Sequence, residues 1–466
     1  MLSRRELLRP IIAAPFIIGA RKSKAAYFFK GSSPPANDLT ETALTALPNN
    51  VWSADQIASG NHVSDLNFGG NLTVNKGVGN VFAFSGGCYA SGQKKYMLPG
   101  TGGHSDSCNT GIATLDLTSL RWSVTEPSAQ YNTAGSADPS NPCTTSEPTY
   151  KPWPNINGNR APMSGHRYAI PIWMPEIGYG FSYGQWSYKT AGTNNGYGLF
   201  NASGQYDQTK LFSNGPNGSF GNVPTALWVP GRKVIWMANS GDGYESAEFD
   251  PLVGTLRRPC NFEYKAPYAI PDLLLQGPPV LIPDPKNAGD QAVVFWANNY
   301  DYGSEAIFYC PKVGSGATGT VSSALAFGGP VPAALSTGTA NYDNHMSSWF
   351  DFAGNYKSGS TKILVWDWKG GSTAAASLTG LYLLDTLTWT WTGPLSGSAG
   401  PFASRWSAIS NGGNNPGSAY GFRCVFVMTD YISVGNYVPI GLIQPDNSTS
   451  ATCGQLYFYK IPWSSL

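Results

Sequence analysis

The sequence is short of charge. Asp, Glu, Lys and Arg make up 12% of it, about half the share of an ordinary soluble domain. The 29 bases and 28 acids nearly cancel. Six bases and one acid fall in the first 25 positions, so the rest carries 29 − 6 = 23 against 28 − 1 = 27, or −4. Such a balance leaves no electrostatic footprint for nucleic acid or an anionic membrane, and both partners are excluded. Histidine is limited to four residues, which confines imidazole chemistry to a few positions. There is no Gly-x-Ser-x-Gly elbow, phosphate loop or dinucleotide fingerprint, which argues against nucleophilic and nucleotide chemistry. The seven cysteines never form the close pairs of a zinc site.

What the chain has in quantity is glycine (55), proline (35) and aromatic residues (13%). Aromatic and β-branched side chains suit strands, while Gly and Pro supply turn dihedrals. Many short strands joined by tight turns are expected, in one closed all-β unit, since such folds reach this length as single domains. In an oxidising compartment the cysteines would pair. Cys88 with Cys108, and Cys424 with Cys453, flank strand-to-strand loops and are candidate bridges, leaving Cys143, Cys260 and Cys310.

Residues 1–25 read as a targeting segment. Ser3-Arg4-Arg5-Glu6-Leu7-Leu8 precedes an apolar run from Pro10 to Ala20, then Arg21-Lys22-Ser23-Lys24-Ala25. The run is too short for the about 20 residues that span a bilayer. The paired Arg and the basic residues after the run resemble a twin-arginine signal, with cleavage before Ala26. The resemblance implies a periplasmic or secreted protein without stable membrane insertion after signal removal. Residues 26–50 read as a linker or closing segment, and 51–466 as the main domain. A Pro/Ser/Thr/Asn-rich stretch at about 128–160 lacks strand periodicity and reads as a long loop insertion.

Self-similarity organises the rest. Val234-Ile235-Trp236-Met237-Ala238-Asn239 recurs as Val293-Val294-Phe295-Trp296-Ala297-Asn298, each followed at the same offset by Ala247-Glu248-Phe249 or Ala306-Ile307-Phe308. Related apolar strands at Val81–Phe84, Gly178–Phe181, Ile363–Trp366 and Cys424–Val427 bring the total to six. A second unit ends a strand in Asp and follows it with Trp: Asp116 with Trp122, and Asp385 with Trp389. Asp suits the head of a tight turn because its carboxylate accepts the amide two residues on. Ser85-Gly86-Gly87 and Trp368-Lys369-Gly370-Gly371 complete a pattern that resembles the Kelch repeats of galactose oxidase-like β-propellers. The resemblance implies six blades, with seven as the alternative, and Trp122, Trp236, Trp296 and Trp389 as packing residues. It leaves function open, since the architecture hosts oxidases, epimerases and interaction modules.

Candidate site residues follow from the blade plan. His166 and His345 begin innermost strands, where Arg405 begins that of the last blade, and His104 and Asp106 lie in a Gly-Gly-His-Ser-Asp loop. Such positions converge on the axial funnel, a default ligand site. His166 and His345 are the only metal candidates, and hydrogen bonding to loop backbone is the favoured role for both. Asp242, Asp301, Asp367 and Asp430 follow inner strands; solvated loop acids are the favoured reading, and a carboxylate ring able to meet calcium or sugar hydroxyls is the alternative. Arg167, Arg405 and Glu245 are the acid–base candidates. Tyr183, Trp186, Tyr188, Tyr300 and Tyr302 offer faces on which a sugar could stack, with packing between blades as the equal alternative. No Tyr precedes a His, which argues against a copper-radical oxidase. The first expectation is therefore an exported binding module for a glycan or partner protein on the loop-rich rim. A carbohydrate-acting enzyme, oxidase or epimerase-like, with its site in the funnel is the alternative. No cofactor is specified.

Overall fold

The computed structural model describes residues 38–66, 86–99, 111–125, 153–154, 160–162, 165–166, 171–183, 185–187, 197–212, 225–238, 245–262, 273–274, 279–299, 305–317, 319–323, 348–351, 361–367, 380–398, 425–443 and 454–466. They form an all-β architecture of six successive antiparallel sheets, each a meander of strands in chain order. Sheet 1 holds Cys88–Ala90, Lys95–Pro99, Ile112–Asp116 and Arg121–Thr125. Sheet 2 holds Ile172–Met174, Tyr179–Tyr183, Tyr197–Phe200 and Tyr206–Phe212. Sheet 3 holds Thr225–Val229, Val234–Ala238, Glu245–Asp250 and Thr255–Phe262. Sheet 4 holds Val280–Pro283, Gln291–Asn299, Glu305–Cys310 and Gly319–Ser323, and sheet 5 holds Ser348–Asp351, Lys362–Asp367, Gly380–Asp385 and Thr390–Thr392. Sheet 6 has three strands, Val425–Val427, Tyr437–Ile443 and Leu456–Pro462.

The six apolar motifs of the sequence do not all occupy one position. Four are second strands, whereas Cys424–Val427 contains a first strand and Val81–Phe84 lies outside the described residues. The second strands of sheets 1 and 6 are Lys95–Pro99 and Tyr437–Ile443. These two lack the shared motif because their neighbours differ: both face the seam where sheet 6 meets sheet 1. The insertion at 128–160 also contributes a short ladder, Trp153–Pro154 with Arg160–Ala161, which packs beside the fourth strand of sheet 2.

First strands touch first strands from each sheet to the next. Sheet 6 returns to sheet 1 through Phe426, which stacks on Tyr89 and Tyr96 at 5.4 and 5.0 Å between ring centres. The cores accordingly lie between sheets. Cys88, Met97 and Ile112 meet Trp173 and Phe200; Phe181 and Tyr197 meet Trp228 and Met237; Val294 and Tyr309 meet Val365 and Trp389. Trp122, expected to pack between units, is buried at the seam with Phe458 and donates Nε1–H to Gly454 O at 2.9 Å. Gly180 is required opposite Phe200 within sheet 2, because a Cβ there would sit 2.1 Å from the Phe200 ring.

One polar device recurs between sheets. The penultimate residue of a first strand reaches back to the first turn of the preceding sheet. Trp173 Nε1 donates to Ser91 O (3.2 Å), Trp228 Nε1 to Glu176 Oε2 (2.5 Å), and Tyr89 Oη to Asp430 Oδ2 (2.8 Å). Sheets 3 and 4 are joined differently. Arg232, in the first turn of sheet 3, forks onto buried Glu248 and donates to Val313 O of sheet 4 at 3.0 Å. Their outer strands also pair in parallel, Cys260–Phe262 beside Gly319–Val321.

The turns between third and fourth strands follow the Asp-headed plan. Asp116 Oδ1 accepts from Thr118 and Ser119 N–H (2.8 and 3.1 Å), and Asp385 Oδ1 from Leu387 and Thr388 N–H (2.9 and 3.2 Å). Asp250 accepts from Leu252 N–H, and in sheet 2 Asn201 takes the same part.

The N-terminal segment supplies what sheet 6 lacks. Asn50, Ser53 and Gln56 N–H donate to Lys460, Phe458 and Leu456 O at 3.0, 2.8 and 2.8 Å. The helix Leu39–Ala46 before it is capped by Asp38, whose carboxylate also receives Lys94 Nζ at 2.8 Å and the Tyr431 hydroxyl at 3.2 Å. At its other end Lys460 Nζ donates to Leu44 O at 2.9 Å, placing a cation where the helix dipole is negative. Burial pulls the Lys460 amine below the ordinary lysine value.

The Arg232–Glu248 pair yields a stability prediction. Glu248→Ala leaves a part-buried guanidinium without its anion and should cost about 3–5 kcal/mol, whereas Arg232→Met with Glu248→Leu should recover most of it. Urea unfolding of the parent protein and the two variants checks this.

Candidate functional site

In a meander every strand reverses direction, so each sheet has two ends with separate sets of connections. At one end lie the first-to-second connections, 91–94, 175–178, 230–233, 284–290, 352–361 and 428–436, and the third-to-fourth connections, 117–120, 201–205, 251–254, 311–318 and 386–389. These connections contain no histidine, and of their four aromatic residues, Phe352, Tyr356, Trp389 and Tyr431, the two among the described residues, Trp389 and Tyr431, are buried. Several of their polar side chains, among them Lys94, Glu176, Asn201, Arg232 and Asp284, are engaged in turn and inter-sheet hydrogen bonds. The other end carries the second-to-third connections, 100–111, 184–196, 239–244, 300–304, 368–379 and 444–455. It also carries the connections from sheet to sheet, 126–171, 213–224, 263–279, 324–347 and 393–424.

The sequence candidates belong to this second end. His104 and Asp106 fall in 100–111, Arg167 in 126–171, Asp242 in 239–244, Asp301 in 300–304, His345 in 324–347 and Arg405 in 393–424. All seven lie outside the described residues, as do Tyr188, Tyr300 and Tyr302. The backbone of His166 is placed in Gly165–His166, which pairs with Gln185–Ser187, and this ladder also carries Trp186. Among the described residues no three His, Cys, Asp or Glu side chains gather as metal ligands.

Two candidates are corrected. Tyr183 is not a surface for stacking sugars: it ends the second strand of sheet 2 fully buried, within the core shared with sheet 3, and burial pushes its phenol well above the ordinary value. Its strand side faces the neighbouring sheet, a placement that a sequence of alternating Gly and aromatic residues leaves ambiguous. Asp430 does not belong to a carboxylate ring with Asp242 and Asp301. Because Val425–Val427 is a first strand, Asp430 lies in a first-to-second connection, at the opposite end. There it accepts from Gly92 and Lys94 N–H (2.7 and 3.1 Å) as well as from Tyr89. Burial, then the Asp430 charge, holds the Tyr89 phenol well above its ordinary value. Asp367 ends the second strand of sheet 5, opposite Gly380. Glu245 begins the third strand of sheet 3, opposite Asn261.

His62 is the histidine whose side chain is placed, and it is a strut. Its Nε2 lies 2.8 Å from Asp55 Oδ2, and its N–H donates to Asp65 Oδ2 at 2.9 Å. Asp55 in turn accepts Leu456 N–H at 3.1 Å. Of the proposed cysteine pairs, Cys88 is buried between sheets 1 and 2, while Cys108, Cys424 and Cys453 lie outside the described residues.

The residues that the sequence left unnoticed are Gln185, Ser187, Asn298 and Asn299. Gln185 and Ser187 pair with His166 and Gly165 in a separate ladder, and Asn298 and Asn299 end the second strand of sheet 4, opposite Leu274 and Leu273. The available signal was the Asn298-Asn299 continuation of the repeated motif.

The chain matches no protein-family model and no curated protein. Solved structures similar to it include the Dos1 propeller, at 9% identity and TM-score 0.32, over 66% of this chain and 60% of that one. They also include the β-propeller domain of the trilobed protease from Pyrococcus furiosus, at 9% identity and TM-score 0.30, over 82% and 98%. A third is an oligogalacturonate lyase from Vibrio parahaemolyticus, at 10% and 0.33, over 81% and 77%. The matched part thus spans under two thirds of the Dos1 propeller chain. At such similarity no residue of this chain takes a role from these proteins.

The turn end gives a pH prediction. Burial alone would raise the Asp284 carboxyl, but hydrogen bonds from the Tyr309 hydroxyl, the Lys312 and Lys286 amides and Asn287 bring it below the ordinary value. A depressed folded-state value stabilises above the unfolded value of about 3.9 and is lost as pH falls through the folded one. Asp284→Asn should therefore lower the melting temperature at pH 7 and flatten its decline below about pH 4, as followed by circular dichroism.

Proposed function

We propose that this chain is a six-bladed, Kelch-like propeller, exported by a twin-arginine signal, that binds a glycan through the rim of long connections. The observation that carries the reading is the division of labour between the two ends. One end is mostly short turns, with Asp284, Asp385 and Asp430 committed to hydrogen bonds. The other receives nearly all the candidate histidines, arginines and aromatics, including Trp186, Tyr188, Tyr300 and Tyr302. Six sheets packed first strand to first strand, with the sixth on the first, support the blade number. Aromatic rings beside amide and hydroxyl side chains suit carbohydrate, whose apolar face stacks while its hydroxyls exchange hydrogen bonds. A binding module needs no more than this, and low net charge removes competition from polyanions.

A glycan array probed with protein purified from the periplasm tests the reading. Trp186→Ala and Tyr302→Ala should each weaken any array signal at least tenfold. Lys233→Ala and Leu387→Ser, in exposed turns of the opposite end, should leave it unchanged. Loss of signal in the turn variants alone would move the site to the wrong rim and end the proposal, as would an array without a signal.

A further inference from the structure

Sheets set radially around an axis diverge from inner strand to outer strand, and each of six must turn by about a sixth of a circle from its neighbour. One junction departs from that rule. The fourth strands of sheets 3 and 4 are paired, Cys260–Phe262 in parallel with Gly319–Val321. Pairing brings these outer edges to about 4.8 Å, half the about 10 Å that separates sheets packed face to face. Among the described residues no other two sheets join their outer strands. Arg232 adds a second tie, donating from sheet 3 to Val313 O of sheet 4 at 3.0 Å. Pinched at its outer edge, this junction supplies less than its share of the turn. In a ring of six, such a deficit pulls hardest on the junction diametrically opposite, which is the seam between sheets 6 and 1.

That seam is built unlike the others. Its direct ties are the Phe426 stack on Tyr89 and Tyr96, the Asp430 carboxylate on Tyr89, Gly92 and Lys94, and the Trp122 indole on Gly454 O. Further ties pass through a third segment, residues 38–66. On one side its Asn50, Ser53 and Gln56 amides hold the third strand of sheet 6, and Trp52 Nε1 donates to Ser398 O, beyond sheet 5, at 3.1 Å. On the other side Leu39 N–H and the Thr40 hydroxyl donate to Thr118 O and Leu117 O of sheet 1. There Asn61 O also accepts Trp122 N–H at 3.2 Å. The strap thus grips the outer parts of both sheets, where a widening seam parts most. Its helix has eight residues and buries Thr40 and Leu44, too short an element to persist once those contacts are lost.

We propose that the ring is a clamp under tension, pinched at the outer edge of sheets 3 and 4 and latched at the opposite seam by residues 38–66, so that release of the strap opens it between sheets 6 and 1. This rests on the six-bladed reading above and adds a motion to it. Opening parts Phe426 from Tyr89, uncovers the third strand of sheet 6 and draws apart the rim connections of sheets 1 and 6. The strap is a latch because it bonds to both sides of the seam, and the outer ladder is the spring because its pairing and a closed seam make opposite demands on the turn of the ring.

Hydrogen exchange on the intact protein and its variants tests this, since exchange reports local opening. Ser53→Ala removes the hydroxyl that accepts Phe458 N–H at 2.9 Å. It should speed exchange about tenfold or more at 50–56, 456–460 and Trp122, and leave 226–229 and 234–237 unchanged. Thr320→Pro and Asn261→Pro each place a proline in the middle of the outer ladder. By releasing the pinch, each should slow exchange at the same seam amides about threefold or more, although it loosens sheets 3 and 4 themselves. Where a proline variant does not fold, Arg232→Met with Glu248→Leu removes the second tie and carries the same expectation. Unchanged or faster exchange at the seam in these variants would overturn the tension, and Ser53→Ala acting equally on all six sheets would overturn the latch; either result leaves the six-bladed reading standing. Small-angle scattering separates the two, because a radius of gyration well above the about 23 Å of a compact chain of 466 residues would overturn ring and clamp together.

Discussion

Everything in this molecule depends on how its last sheet is completed. Sheet 6 makes three strands from the C-terminal part of the chain, and its outer edge is satisfied by amides of Asn50, Ser53 and Gln56. An uncovered edge would present a row of unpaired backbone groups. The segment is fixed at both ends of its helix by charge. Asp38 at the start collects Lys94 from sheet 1 and Tyr431 from sheet 6, and Lys460 caps the far end. Burial and the nearby Asp38 carboxylate together hold the Tyr431 phenol far above its ordinary value, so it remains a donor at any physiological pH. The two sheets farthest apart in sequence are thus joined by groups that a third segment brings to them.

The same logic explains why hydrogen bonds between sheets fall on turns. Sheets pack face to face through apolar side chains, which fix distance but tolerate sliding. A Trp or Tyr near the end of a first strand, donating to the preceding turn, fixes the height of one sheet relative to the next. Where sheet 4 offers Ile282 at that place, Arg232 and Glu248 take over the function, at the desolvation cost that accompanies any buried ion pair.

Much of this was legible in the sequence. Asp116, Asp250 and Asp385 marked their turns because an Asp-headed turn is a local structure, decided by residues two or three apart. The Val234 and Val293 repeats marked second strands because both meet similar neighbours. Strand order within a sheet was harder. Cys424–Val427 looks like Val234–Ala238 by apolar content, yet it is a first strand, since position within a sheet depends on contacts hundreds of residues away. Tyr183 shows the same limit for the site: its alternation in the strand was visible, but which face was buried depended on sheet 3. Gln185 and Asn298 were illegible because their placement rests on counting residues across a ladder, and the count exists only once the pairing is known.

The completion of sheet 6 by the N-terminal segment also sets a timetable. The bond between Phe458 N–H and the Ser53 hydroxyl joins residues 405 positions apart. At roughly 5–20 residues per second on the ribosome, Ser53 waits on the order of 20–80 s for its partner. Throughout that interval Leu44, Ile57 and Val63 have the sheet 1 half of their core, Tyr96, Leu115 and Trp122 among it, but not Phe426, Tyr431 and Phe458 of sheet 6. Sheets 1 to 5 can each pack on the one before as they emerge, but the first segment completes its contacts only when the last sheet is made. The length of the wait grows with every residue added to the long connections, so elaboration of the rim lengthens the period in which the nascent chain must be kept from mispairing.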